Sequence, residues 1–479
     1  MTLTELKGLA EMLKDRMDPE VELLVNGLLS LLSSQEARIK ELEDQIAKNS
    51  RNSSKPPSSD NKAKVARKKR GKGRKPGGQS GHPGHQLDLS SEPDEVIRYE
   101  VAECPCCKLS LSEIEAERVE RKQIVDISLP KRNVVEHQIE LSRCPGCGQL
   151  WESSEVPDEV VHRTAYGPGV KAYCSYLHSY HQLPYERISE LMKEMTDIPL
   201  SPGSIVNFQK VAYERLASFE EELKEGLSNS PAIFCDETGM RVKLQNYWMH
   251  TVCNDRYSYF HIDPKRGQEA MDRMGILPDY QGVAHHDAWS SYFTYQKPQH
   301  SLCNAHLLRE LIFLSENHEQ QWAQKMIDLL VRIKNLVDQS DRGILTSQWQ
   351  GRLRKQYRQI IEEGMNLHPP PEKVEGQRGR IAKSKSRNLL ERLKKCEDQY
   401  LRFMVQPEAQ FDNNQAERDL RMNKVKMKIS GCFRSERGAK YFARMRSFIL
   451  TMQKNQRNII EELIRVFDLK NTSPTAFDF

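Results

Sequence analysis

The chain has 479 residues, 38% of them hydrophobic and 29% charged, and a net charge of +5 at pH 7. That length exceeds one ordinary domain and suffices for a real core, which describes a soluble multidomain protein. No run of about 18 apolar residues occurs to span a membrane, and the start MTLTELKGLAEMLKDRMDPE lacks the apolar segment of a secretory leader. The expected location is the cytoplasm, where paired cysteines read first as metal ligands.

Residues 1–50 carry a heptad. Val21, Val25, Leu28, Leu32, Gln35, Ile39, Leu42 and Ile46 alternate in steps of four and three, with charges flanking them in EARIKELEDQ. This pattern predicts a short coiled coil, and hence a homodimer or higher oligomer, with Gln35 fixing register. An amphipathic helix packed on its own chain is the alternative. Residues 51–95 follow as a Pro-, Gly- and Ser-rich linker. Its segment KAKVARKKRGKGRK, Lys62 to Lys75, contains no acid. The block Arg67, Lys68, Lys69 and Arg70 suits phosphates without reading bases, although a solvated tail has the same composition.

Residues 96–160 are expected to form a small zinc-ribbon-like β domain. Cys104-Pro-Cys106-Cys107 and Cys144-Pro-Gly-Cys147 are two C-x-x-C knuckles. Four thiolates, Cys104, Cys107, Cys144 and Cys147, suit one structural, tetrahedral Zn²⁺, with Cys106 as a surplus thiol. Between the knuckles KQIVDI and NVVEHQIELSR alternate as strands do. Residues 161–229 read as helical: two amphipathic runs, the turn TDIPLSPGS, and a third helix over SIVNFQKVAYERLASFEEELKEG. A helix-turn-helix that docks in a DNA groove and an ordinary helical bundle both fit.

From Pro231 the character changes. AIFCDETGMRV, YWMHTVC, YSYFHI and GVAHHD are strand-like runs, and helices follow them. Three antiparallel strands, a helix and a further strand open a ribonuclease-H-like α/β core. That core is assigned to 230–310 and 406–465, with a helical insertion over 311–405 and a C-terminal tail over 466–479. The fold class is thus multidomain α+β.

Asp236 lies in the first of these runs, with Glu237 beside it, and Asp287 closes the last. Carboxylates at two neighbouring strand ends can share divalent metal, two Mg²⁺ (or Mn²⁺) ions about 4 Å apart serving the attacking and leaving oxygens of a phosphoryl displacement. The third acid is expected to be Glu417 in FDNNQAERDLRMNKVKMK, one turn into a helix capped by Asp412 or Asn413. Arg418, Arg421, Lys424, Lys426 and Lys428 surround it as candidate DNA contacts. Glu310 is a rival on spacing without that basic neighbourhood. Cys303 and His306, with His300 nearby, have metal-like spacing but more often pack or orient a helix. Trp289 and Tyr292 wall the site or stack on a base.

Taken together, NSSKPPSSD, the C-P-x-C knuckles, CDETGMRV, HHDAWSSYF, CNAHLLREL and NNQAERDLRMNKVKMKISGCFRSERGAKYFARMRS run in one order from about residue 20 to about 465. In this the chain resembles the large transposase of the insertion sequence 66 family. The resemblance implies that Asp236, Asp287 and Glu417 are the catalytic triad of a DDE-type DNA transposase. It also implies small accessory proteins from the same element and a nucleoid location in a bacterium. The expected chemistry is cleavage at a transposon end, then attack of the freed 3′ hydroxyl on target DNA. Two other readings are a DNA-binding relic without activity and a nuclease that hydrolyses without joining.

Overall fold

The computed structural model describes residues 3–13, 17–53, 89–115, 117–126, 132–152, 165–371, 381 and 383–468. The tetrad Arg67, Lys68, Lys69 and Arg70 lies outside them. Helices α1 (Leu3–Leu13) and α2 (Pro19–Ala47) open the chain. Along α2 the heptad positions Val21, Leu28, Leu32, Ile39, Leu42 and Ile46 are exposed. Its C-terminal end is tied to later helices, where Asp44 pairs with His318 (3.0 Å) and with Lys385, and Arg51 pairs with Glu316 (3.0 Å).

Strands β1 (Leu141–Arg143) and β2 (Leu150–Glu152) form an antiparallel pair around the second knuckle. KQIVDI and the first part of NVVEHQIELSR, read as strands in the sequence, are not strands among the described residues. Alternation needs a face to bury, and here Ile124 stays 97% exposed and Val134 78%.

Four helices follow: α3 (Pro168–Ser179), α4 (Tyr185–Thr196), α5 (Pro202–Arg215) and α6 (Ala217–Ser228). The long third helix expected here is divided at Leu216, which leaves helical geometry at φ −88°, ψ 14°. The Ser201 side chain caps α5 by accepting from the Ser204 N–H, and Pro202 supplies the preset first turn. Phe208, Phe219 and Leu223 then bury against Met445, Phe448 and Leu463, so these helices share one core with the C-terminal ones.

The central sheet is built from β3 (Ala232–Val242), β4 (Gln245–Cys253), β5 (Ser258–Asp263), β6 (Val283–His286) and β7 (Gln299–Leu302). Its order is β5-β4-β3-β6-β7. The first three strands pair antiparallel, while β6 and β7 run parallel to β3. A parallel step needs a crossover, and α7 (Gln268–Met274) lies in the one joining β5 to β6. Period-two alternation sorts β3 cleanly. Phe234, Met240 and Val242 face α13 (Asn414–Ser430) and α14 (Glu436–Lys454), whereas Ile233 and Cys235 face α7 and Tyr292.

Between β7 and α13 stand α8 (Asn304–His318), α9 (Gln321–Asp338), α10 (Ser347–Leu367), α11 (Lys385–Lys395) and α12 (Glu397–Leu401). They close a second core around Trp322, Leu330, Tyr357 and Leu390, which meets the sheet at Val283 and Leu302. The sequence reads α8 and α9 as one run. Glu319, in the left-handed region at φ 52°, separates them. Last, α15 (Ile459–Phe467) packs on α3 and α5. No helix among the described residues is long and apolar enough to cross a membrane.

Candidate active site

Strand β3 delivers the first acid. The alternation that buries Phe234 and Met240 turns Asp236 toward α13, and Glu237 toward the opposite face. The parallel register of Ala232 with Val283 and Phe234 with His285 continues to set Asp236 level with Asp287, the residue after β6. Asp287 caps the turn that follows, accepting from the Trp289 N–H at 2.9 Å. Glu417 sits in the first turn of α13, the helix packed on β3 and β4.

The charges of these acids reach one another, although their oxygens do not all come within 4.8 Å of one another. Burial first, then Glu237, Asp287 and Glu417, push the Asp236 carboxyl up to about 8, against the pull of its own bond from the Glu237 N–H. Crowded carboxylates in a poorly hydrated site disfavour ionisation. Cations stand at the margins. Arg309 approaches Glu417 at 3.4 Å and Arg266 pairs with Glu237 at 2.8 Å, while His306, its pKa lowered by burial, stands 3.5 Å from Glu417. Glu417 Oε1 is buried without a hydrogen-bond partner. Hard oxygen donors in mutual repulsion, one of them unsatisfied, are the donor set a divalent cation fits.

Glu237 has a different task. Its side chain, 2% exposed, accepts from the Tyr292 hydroxyl at 2.7 Å and binds Arg266, whose guanidinium lies 3.9 Å from the Trp289 ring centre and 4.8 Å from that of Trp248. Tyr292 is thus buried on the Glu237 side of the sheet, and Trp289 carries the Arg266 guanidinium. His285 and His286 are fully buried, stacked on Phe234 and Tyr292, and burial drives their pKa values down to about 4 and 3. They are neutral packing residues. His300 joins His286 at 2.9 Å and stays out of the acid cluster.

One buried residue carries no signal of its role in the sequence beyond a helix cap. Asn413 donates its side-chain N–H to the Cys235 carbonyl at 2.7 Å, and its backbone N–H to Cys303 Sγ at 3.2 Å. The Cys303 N–H in turn donates to the His286 carbonyl at 3.0 Å. Asn413 and Cys303 therefore staple together the chain beside Asp236, the chain beside Asp287 and the start of the helix that bears Glu417. Cys303, His306 and Glu417 also converge, their donor atoms lying within 4.8 Å of one another, and they are the one such group of three among the described residues. Glu310 points elsewhere and pairs with Arg392 at 2.6 Å.

Of the basic residues around Glu417, Arg418, Arg421, Lys424 and Lys428 are exposed. Lys426, expected among the DNA contacts, is instead 4% exposed, with its ammonium over the Phe442 ring. The inward stripe Ala416, Leu420, Asn423 continues one turn further to include it, and burial lowers its pKa to about 8.

The knuckles repeat one turn. In each, the first cysteine's carbonyl accepts from the N–H four residues on, Lys108 at 3.0 Å and Gly148 at 2.9 Å, and those residues have φ 65° and 72°. Backbone N–H groups of Cys107 and Cys106 hold the Cys104 thiol below its ordinary pKa, and those of Cys147 and Gly146 do so for Cys144. N–H groups aimed at sulfur favour the thiolate, the form that binds metal. The two knuckles are not drawn into one four-sulfur cluster here.

No match was found among proteins of curated function. A model of a family of unknown function matches residues 9–88. The model described as Transposase IS66 family matches residues 163–441, more than half of the chain, including the sheet, the insertion and all three acids. The chain therefore belongs to the IS66 family of transposases.

Proposed function

We propose that this chain cuts DNA at the ends of its element and joins the freed 3′ hydroxyl to target DNA, with Asp236, Asp287 and Glu417 as the catalytic acids. The observation that supports the reading is the placement of these three on adjacent parallel strand ends and a packed helix, near enough for the charges of Asp287 and Glu417 to act on Asp236. The strand order, three antiparallel and two parallel, supports a ribonuclease-H-like core.

Asp236, Asp287 and Glu417 would hold divalent metal, Mg²⁺ or Mn²⁺. Such ions, when bound, activate an attacking oxygen and offset charge on the leaving one in an in-line displacement. The protein's own part is positioning. Asn413 and Cys303 fix the three acid-bearing segments, Arg309 holds Glu417, and the Trp289–Arg266 stack borders the cleft. The exposed cations of α13 bind the phosphates on either side of the cut. Incubation of labelled element-end DNA with target DNA and Mg²⁺ tests the reading by its products. Joined strands are expected. Hydrolysis without joining would make this a nuclease, and binding without either a regulatory protein.

The N-terminal helix supplies the second subunit that two DNA ends require. A stripe of exposed Leu and Ile at heptad spacing on α2 suits a copy of itself. Leu28→Asp with Leu32→Asp should convert an oligomer to a monomer in light scattering, with the same mass for both proteins counting against it. The knuckles support a structural Zn²⁺ on Cys104, Cys107, Cys144 and Cys147. Their module buries so little that metal would supply most of its folding energy. One zinc per chain is expected by elemental analysis, and Cys144→Ser should lose it while Cys106→Ser keeps it. Accessory proteins of the same element, and a place on the nucleoid, fit the family.

A further inference from the structure

Helix α13 presents a second face beside the one that carries Glu417. Gln415, Arg418 and Met422 follow one another at helical spacing, and on α14 Arg446, Leu450 and Lys454 do the same. The two stripes line one cavity of about 530 Å³, closed at one end by Tyr180 and His181, which follow the last turn of α3. Of this lining the catalytic reading uses only Arg418.

Its charges are unbalanced. Asp419, the acid in the lining, acts on Arg446 but is shared: it is also engaged by Lys454 at 2.8 Å, the Ser258 hydroxyl at 2.6 Å and the Gln415 side-chain N–H at 3.1 Å. Arg418, at the mouth, donates to the neutral Gln415 at 2.7 Å. Arg446 is 1% exposed; one guanidinium nitrogen donates to the Ser179 carbonyl at 3.3 Å, and its Nε has no hydrogen-bond partner. Burying a guanidinium without its own counter-ion is costly, and proteins keep such an arrangement where an anion completes it.

Arg418 directly follows Glu417 in the chain. The cavity therefore opens on the helix that bears the proposed third acid. We infer that the cavity between α13, α14 and the end of α3 is a subsite for a backbone phosphate of the DNA substrate, held by Arg446 and Arg418. This rests on the reading of the chain as a DNA-cutting enzyme. Arg446 is the floor and Arg418 the gate, and Met422 sets the width.

The test is binding without catalysis. The full chain is titrated against a fluorescein-labelled duplex in EDTA at several salt concentrations, read by anisotropy. Arg418→Ala should weaken binding several-fold and reduce the salt slope by about one. Met422→Trp, which fills the cavity and changes no charge, should weaken binding with a similar loss of slope. If Met422→Trp does not melt as the wild type does, Met422→Phe takes its place. Weakening by Arg418→Ala with wild-type binding by the Met422 variant would overturn the subsite, since a surface arginine alone explains it. Wild-type affinity and slope in both variants would overturn it too, and the enzyme reading would stand. Failure of the wild type itself to bind DNA would take both down.

Discussion

Asp236→Asn and Glu417→Gln should each reduce strand joining by more than about a hundredfold while leaving DNA binding intact. Loss of a partner outside the metal's own ligands costs roughly 10–100-fold, so a direct ligand should cost more. Both replacements keep shape and remove charge. Asparagine at 236 can still accept from the Glu237 N–H, and glutamine at 417 can still accept from Arg309. The packing of β3 on α13 is therefore preserved, and what is lost is donor charge on the proposed triad. Removing a negative charge beside phosphates should also leave the substrate bound as tightly or more so. Glu310→Gln is the control, because that carboxylate is occupied by Arg392 away from the cluster. Joining by Glu417→Gln within tenfold of wild type, measured on labelled element ends with Mg²⁺, would remove Glu417 from the triad.

The same crowding should make the metal-free protein less stable as pH rises. Asp236 has its folded-state pKa pushed up to about 8, by burial before any neighbour. An aspartate in an unfolded chain titrates near 3.9. A carboxyl with the higher value in the folded state holds its proton more tightly there. The stability it contributes is full below about pH 4 and is lost as pH climbs through about 8. In EDTA the wild type should therefore melt lower at pH 8.5 than at pH 6, and Asp236→Asn should flatten the difference. At pH 8.5 the variant should be the more stable of the two, with each kcal/mol worth roughly 2–4 °C in a domain of about 150–250 residues. Mn²⁺ or Mg²⁺ should raise the wild-type melting temperature at pH 8.5 and do little for the variant. Parallel melting of the two proteins across this range would mean that Asp236 is not crowded. A site that destabilises its own empty state is the familiar exchange of stability for activity.

How far the sequence foretold this arrangement varied with the kind of signal. Strands β3 to β6 were legible because β-branched and aromatic runs marked them, and two of those runs carry Asp236 and Asp287. Strand β7 was not. Four residues, QHSL, carry no alternation, and only pairing with β6 makes them a strand. The pair in KQIVDI and NVVEHQIELSR failed the other way, since alternation without a partner face leaves the chain extended and exposed. Lys426 was misjudged because a run of Lys and Arg hides its own helical phase, and only the inward stripe reveals which one is buried. Asn413 and Cys303 were invisible as a staple. Their bonds join positions 110 and 178 residues apart, and no local pattern encodes such a contact.

Glu417 lies 130 residues beyond Asp287, on the far side of the helical insertion. At about 5–20 residues per second of synthesis, it leaves the ribosome on the order of ten seconds after its two partners. Throughout that interval the growing polypeptide owns the N-terminal helices, the basic arm and two of the acids, and lacks the third. On the proposed triad, a product ended inside the insertion would lack the third acid, and it would also lack Met445, Phe448 and Leu463, on which helices α3 to α6 close their core. The insertion would therefore make cutting the last property the chain acquires as it is made.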